Sequence, residues 1–224
     1  MRQSSLISIP TPTPPPEATP PFSLIYTDPP WKFEVYNADT TDASRYIGNK
    51  YPIMSRDDLC ALPVASVCAP NCAIFMWATK PNLLDAIAVL DAWGFAYTTI
   101  AWTWVKLTPR GAKWNMGAGY YTRANFELCL LGTRGSMPVS DHSVLDVLET
   151  EGDTLVAPVR EHSRKPEICY TYLERLYPRQ LYPNRAEFFA SPFSAPLAAT
   201  YGFATPGFGS ADLDTALKES QSAN

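Results

Sequence analysis

Residues 24–33 read LIYTDPPWKF, and this stretch decides the fold. Leu24, Ile25, Tyr26 and Thr27 continue from Phe22 as a short apolar run of strand-forming residues, the pattern of a buried strand. The run stops at a carboxylate, Asp28, which two prolines and Trp31 follow. Pro29 and Pro30 have no backbone donors and hold φ at about −65°. They also bias Asp28 toward extended geometry. The expected result is a rigid elbow at the strand's mouth, with carbonyl oxygens that have no local partner. A carboxylate beside a fixed carbonyl makes two adjacent acceptors, and an exocyclic amine with its two N–H donors is their complement. The Trp31 indole offers a flat face for stacking a base, worth roughly 1–3 kcal/mol in single-strand binders.

On either side of this strand the pattern alternates. Residues 54–62 (MSRDDLCAL) predict a short helix with Ser55 as N-cap and Asp57 and Asp58 in the first turn. The near-continuous apolar run 71–79 (NCAIFMWAT) predicts an interior parallel strand. Residues 81–94 (PNLLDAIAVLDAWG) predict a helix with Leu83, Leu84, Ile87, Ala88 and Leu90 inward, Pro81 in the first turn and Gly94 as the stop. Strands are expected at 95–106, 124–133, 154–159 and 186–190. A helix is expected at 165–177, with Pro166 near its start and Ile168, Tyr172, Leu173 and Leu176 inward. Residues 107–123 form a polar, glycine-rich and basic loop, and 133–153 are irregular and mostly acidic.

This order predicts an α/β fold: a mostly parallel, twisted sheet with helices on both faces. Ligands in such sheets bind beyond the carboxyl ends of the strands. Asp28, Lys106 and Arg160 each follow a predicted strand, so topology alone makes them site candidates.

Composition narrows the function classes. The 224 residues carry a net charge of −4, so no broad basic field is present and any contact with nucleic acid is local. No apolar run reaches the roughly 20 residues a membrane span needs. The first ten residues show no apolar core with a cleavage site, so neither export nor membrane insertion is expected. Five cysteines without a scaffold rhythm suit reduced thiols in a cytosol. Cys68 and Cys72 are close in sequence, but His142 and His162 lack ligand spacing, so no metal site is expected. Seven of the 22 prolines lie in residues 1–21, which read as an extended lead-in. The folded domain is expected over 22–204, with a tail at 205–224 in which 210–220 could form a surface helix or stay unstructured.

Asp28-Pro29-Pro30-Trp31 resembles the catalytic tetrapeptide of the MT-A70 family, adenine N6-methyltransferases that use S-adenosylmethionine. The likeness extends through Tyr51-x-x-Met54, Trp77 at a strand end, the 93–95 WGF, and Trp104-Val105-Lys106. It continues in 122–135 around Glu127 and Gly132, in the Arg160-x-x-Ser163-x-Lys165-Pro166 helix start, and in the 187–190 EFFA. The resemblance implies a Rossmann-like methyltransferase fold with Asp28, Pro29, Pro30 and Trp31 as the catalytic element. It implies that Asp28, Arg160, Ser163 and Lys165 bind the cofactor, with Lys165 on the methionine carboxylate. Ser191 stands where the family has an arginine, and Ser194, Phe193 and Phe203 fall at or near its polar ribose-binding positions. Trp31, Tyr51 and Glu127 become substrate-binding candidates. Lys106, Arg110, Lys113 and Arg123, interleaved with Trp114, Tyr120 and Tyr121, suit phosphate contact and base stacking.

Plainer readings stand beside these. Glu127 could serve a structural ion pair, Lys165 could be a solvated helix-start cation, and Tyr51 could simply pack. Trp77, Trp93, Trp102 and Trp104 read as core. The functional expectation is methylation of adenine N6 in DNA, single-stranded or flipped from the duplex, in the cytoplasm of a bacterium or phage-infected host. The compact size favours DNA over RNA. The alternatives are an RNA adenine methyltransferase and a catalytically silent nucleic-acid-binding subunit, the latter motivated by the altered segment after Ala190.

Overall fold

The apolar run before Asp28 forms strand β1 (Phe22–Thr27), with all but Ser23 buried. It belongs to a computed structural model that describes residues 21–32, 53–111, 113–117, 119, 121–146, 157–159 and 164–206. The lead-in through residue 20 and the expected 210–220 helix lie outside the described residues. Helix α1 (Arg56–Cys60) is short enough to depend on its cap. Ser55 Oγ accepts the Asp58 N–H, and the Asp58 carboxylate accepts the Ser55 N–H, a reciprocal capping box. Next come β2 (Cys68–Ala78), α2 (Leu83–Ala92), β3 (Ala96–Leu107) and β4 (Phe126–Arg134). β5 (Ala157–Pro158), α3 (Ile168–Leu176), β6 (Arg185–Phe188), α4 (Ala195–Thr200) and β7 (Phe203–Ala204) complete the order.

Among the described residues the strands make one seven-stranded sheet in the order β5-β3-β4-β2-β1-β6-β7. β1 pairs in parallel with β2 and β6, β6 with β7, and β3 with β5. β4 alone runs antiparallel, between β2 and β3. The expected mostly parallel sheet is therefore present, with one reversed strand near its centre.

Side-chain alternation divides the interior into two cores. Ile25, Ile74, Met76 and Leu130 pack on the face shared with α1 and α2. Leu24, Phe75, Trp77 and Cys129 pack on the face shared with α3 and α4. Helices thus cover both faces, and the period of two fixes which residues meet which layer. Trp77, Trp93, Trp102 and Trp104 are all buried, as their core reading requires.

The inward face of α2 differs from expectation. Ala86, Val89 and Leu90 are buried, Leu83 and Ile87 flank them, and Leu84 is 79% exposed. The buried stripe follows the 3- and 4-residue spacing through 83, 86, 87 and 90, and Leu84 sits about 100° around the helix from it. The segment after Ser191, weakly patterned in sequence, supplies α4 and β7. No helix among the described residues is long and apolar enough to cross a membrane.

Arg185 pins α3 to the sheet. Its side chain is 0% exposed, Nη1 lies 2.8 Å from Glu174 Oε2, and Nη2 donates to the Tyr177 and Tyr182 carbonyls. Such a buried cation holds only while every donor is matched. Arg185→Met is expected to lower stability by about 3–5 kcal/mol, because it strands Glu174 and two carbonyls. Urea denaturation measures this.

Candidate active site

Asp28 is the first residue beyond β1, at the edge where the parallel strands end. Because β4 runs the other way, its first residues reach that same edge, and Glu127 pairs in register with Trp104 of β3. Parity then selects the side chains. Asp28 continues the Leu24–Tyr26 alternation, Lys106 continues Trp102–Trp104, and Glu127 precedes Cys129 by two. All three fall on the face covered by α3.

The chain leading into α3 carries Lys165 to this edge. Its Nζ lies 2.5 Å from Asp28 Oδ2 and 3.4 Å from Glu127 Oε2. Lys106 Nζ lies 2.5 Å from Glu127 Oε1. The result is a row of alternating charge, Asp28–Lys165–Glu127–Lys106, running from the end of β1 to the end of β3. Lys165 stands over the Trp77 ring and Lys106 over the Trp104 ring, at 5.5 and 4.8 Å from the centroids. Burial would raise the Glu127 carboxyl, but Lys165 and then Lys106 more than offset it and hold it below the usual range. Burial likewise works against the Lys165 ammonium, and the Asp28 and Glu127 carboxylates reverse that, so its pKa is raised. The reading of Lys165 as a solvated helix-start cation is therefore replaced by a buried, paired one.

The elbow is rigid for a different reason from the one expected. The Pro29 carbonyl accepts the Trp31 N–H at 2.8 Å, and the Pro30 carbonyl accepts the Met54 N–H at 2.9 Å. Both carbonyls thus have partners, a local one for Pro29 and a distant one for Pro30, and the tight turn across Pro30 fixes the direction of the Pro29 oxygen. That oxygen still has a second lone pair, so it can accept again. Trp31 is only 4% exposed and packs with Leu59, Ile74 and Met76, and its indole N–H donates to the Trp77 carbonyl at 2.9 Å. Its ring is covered and cannot serve as an open stacking face; it anchors the elbow to the end of β2.

A small cleft, partly open to solvent, begins at Asp28 and Lys165. Tyr170, Glu187, Phe189, Ser191, Phe193 and Ser194 line it further. Ser191 and Ser194 cap each other: each backbone N–H donates to the other's hydroxyl, at 2.9 and 3.1 Å. Tyr170 donates its hydroxyl to Glu187 Oε2. Burial pushes the Glu187 carboxyl up against that hydrogen bond. The lining therefore offers carboxylates, an ammonium, hydroxyls and aromatic rings in one cleft. This donor set fits a ligand that carries an amino-acid end, a ribose and a base.

The structure brings Asp28, Lys165, Ser191 and Ser194 to one cleft, and joins Lys106 and Glu127 to it through Lys165. Arg110, Lys113 and Arg123 are exposed on the connection between β3 and β4, together with Trp114 and Tyr121. That connection starts beside the charge row, since the Asn115 N–H donates to the Lys106 carbonyl at 2.9 Å. Tyr51, Arg160, Ser163 and Tyr120 lie outside the described residues. Glu187 and Tyr170 were not singled out from the sequence. A carboxylate inside an apolar strand was the available signal, and it was applied only to Glu127.

Two results are expected here. Trp31→Phe should lower stability by about 1–3 kcal/mol, through a buried carbonyl left short of a donor, while leaving affinity for adenine nucleotides within twofold; denaturation and calorimetry read the two effects. Because its native pKa is lowered, Glu127 adds stability above the ordinary carboxylate value of about 4.3 and loses that contribution as pH falls through the native value. Urea denaturation should therefore show a gap between wild type and Glu127→Gln that is widest near neutral pH and closes in acid.

Comparison with known proteins identifies the family. The MT-A70 family pattern matches residues 22–203. Type II methyltransferase M.MunI of Mycoplasma sp is 27% identical over 172 residues, which cover 70% of this chain and 68% of that protein. An N(6)-adenosine-methyltransferase MT-A70-like protein of Arabidopsis thaliana is 28% identical over 175 residues, covering 78% of this chain and 22% of its own length. The human N(6)-adenosine-methyltransferase catalytic subunit METTL3 is 27% identical over 161 residues, covering 70% and 24%. The chain thus spans about two thirds of the first relative and less than a quarter of the other two. With most of its length matched and an α/β sheet covered on both faces, the chain belongs to the MT-A70 family of Rossmann-like methyltransferases.

Proposed function

We propose that this protein transfers a methyl group from S-adenosylmethionine to the N6 amine of adenine in DNA. The observation that carries the reading is the position of Asp28: an ionisable carboxylate beside a fixed Pro29 carbonyl, at the mouth of a cleft with matching charges. S-adenosylmethionine, when bound, supplies an electrophilic methyl on a sulfonium centre. Lys165, one of two cations lining the cleft with Arg164, is the group for its carboxylate, while Ser191, Ser194 and Glu187 are the groups for its hydroxyls and amine.

Adenine N6 is a weak nucleophile because its lone pair is delocalised into the ring. An Asp28 oxygen and the Pro29 oxygen can each accept one of its N–H bonds, which favours the pyramidal nitrogen that attacks. That interaction is stronger in the transition state than in the ground state, the condition for raising kcat. As the N–C bond forms and the S–C bond breaks, the nitrogen gives up one proton, and Asp28 is the base positioned to take it. Asp28 is recessed, with 24% of its side chain exposed. Only a base outside the duplex stack would reach it, so a single strand or a flipped adenine is the proposed substrate. The exposed Arg110, Lys113, Arg123, Trp114 and Tyr121 suit the flanking strand.

Coverage of two thirds of a type II methyltransferase supports DNA and a cytoplasmic setting in a bacterium or infected host. The likeness to N(6)-adenosine-methyltransferases supports the adenine amine and makes RNA the second reading. The test is methyl incorporation from labelled cofactor into matched single-stranded DNA and RNA. Wild type should label DNA preferentially, and Asp28→Asn should lose at least about a hundredfold, the scale of removing one transition-state hydrogen-bond partner. Absence of labelling by wild type, at saturating cofactor and across varied sequences, contradicts the proposal.

A further inference from the structure

Without ligand, the carboxylate that is to grip the amine already holds an ammonium: Asp28 Oδ2 lies 2.5 Å from Lys165 Nζ. That cation has little access to water, with 12% of its side chain exposed, so it cannot leave Asp28 without another carboxylate to receive it. Glu127 is that carboxylate. Its Oε2 already pairs with Lys165 Nζ at 3.4 Å, a long contact that a shift of about half an ångström would shorten to a strong hydrogen bond. Its other oxygen is fastened to Lys106 at 2.5 Å, which keeps the group oriented and leaves Oε2 facing Lys165. Each ammonium also faces its own indole, Lys165 over Trp77 and Lys106 over Trp104, the two rings lying edge to face with centroids 6.3 Å apart. Two carboxylates and two ammonium groups balance before and after the shift.

We infer that Glu127, braced by Lys106, is a positioning residue that draws Lys165 off Asp28 and so frees Asp28 for the substrate amine. The inference rests on the methyl-transfer reading for its purpose, but not for its geometry. Glu127 does not line the cleft that Lys165 and Asp28 share with Glu187 and Ser191, so it acts through Lys165 and not on the cofactor. It also gives Lys106 a role apart from substrate contact.

Two experiments test it. In a crystal structure of ligand-free Asp28→Asn, which removes the competing charge at nearly constant shape, Lys165 Nζ is expected within about 3.0 Å of Glu127 Oε2. A Lys165 that stays beside residue 28, no nearer to Glu127 than now, overturns the inference whatever the protein methylates. In steady-state kinetics, Glu127→Gln should lower kcat about 10- to 100-fold, while the cofactor KM stays within twofold. A merely structural Glu127 would cost stability without that split, and wild-type turnover by the variant would overturn the inference as well. Failure of wild type to methylate any nucleic acid would sink the proposed function and leave the crystallographic result to decide this one.

Discussion

The ion pair between Asp28 and Lys165 is the constraint around which the rest of the molecule is arranged. It joins residues 137 apart in sequence and lies at a poorly solvated sheet edge. Charges in such a place persist only when each is matched, and every match here comes from a different element. β1 delivers Asp28, the lead-in to α3 delivers Lys165, β4 delivers Glu127 and β3 delivers Lys106. The reversed direction of β4 is what makes the set possible. A parallel strand in that place would have put its opening residues at the far edge.

Rigidity and chemistry are divided between neighbours in the elbow. Pro29 and Pro30 restrict the backbone, the Trp31 and Met54 amides fix the carbonyls, and the Trp31 indole ties the turn to the end of β2. None of these contacts uses the Asp28 carboxylate, which pairs with Lys165 at the cleft. The segment after β6 shows a similar division. Ser191, standing where relatives are expected to carry arginine, is bound reciprocally to Ser194, so a small capping turn takes the place of a long cation. The segment still presents hydroxyls and the Phe193 ring to the cleft.

Much of the fold was legible because local chemistry and burial agreed. The apolar run ending at Asp28, the Ser55 cap, the 71–79 strand and the stop at Gly94, whose φ is +80°, each follow from residues adjacent in sequence. What was not legible depends on partners distant in the chain. Trp31 reads equally well as an open ring or a buried one until the end of β2 is known to lie beside it. The Pro30 carbonyl looks free until Met54 is known to lie beside it. Leu84 is as apolar as Leu83, and only the packing of α2 against the sheet separates them. Glu127 and Lys106 were recognised as candidates, but their pairing waits on the direction of β4, which no local pattern encodes. Glu187 carried the mark of a carboxylate in an apolar strand, but nothing local shows that it faces Tyr170 of α3.

A crystal structure with S-adenosylhomocysteine and a short adenine-containing single strand addresses the central claim most directly. The account predicts the adenine N6 within about 3.2 Å of both an Asp28 oxygen and the Pro29 carbonyl oxygen, with its ring outside any base stack. An adenine seated elsewhere, with Asp28 still closed on Lys165, would contradict it.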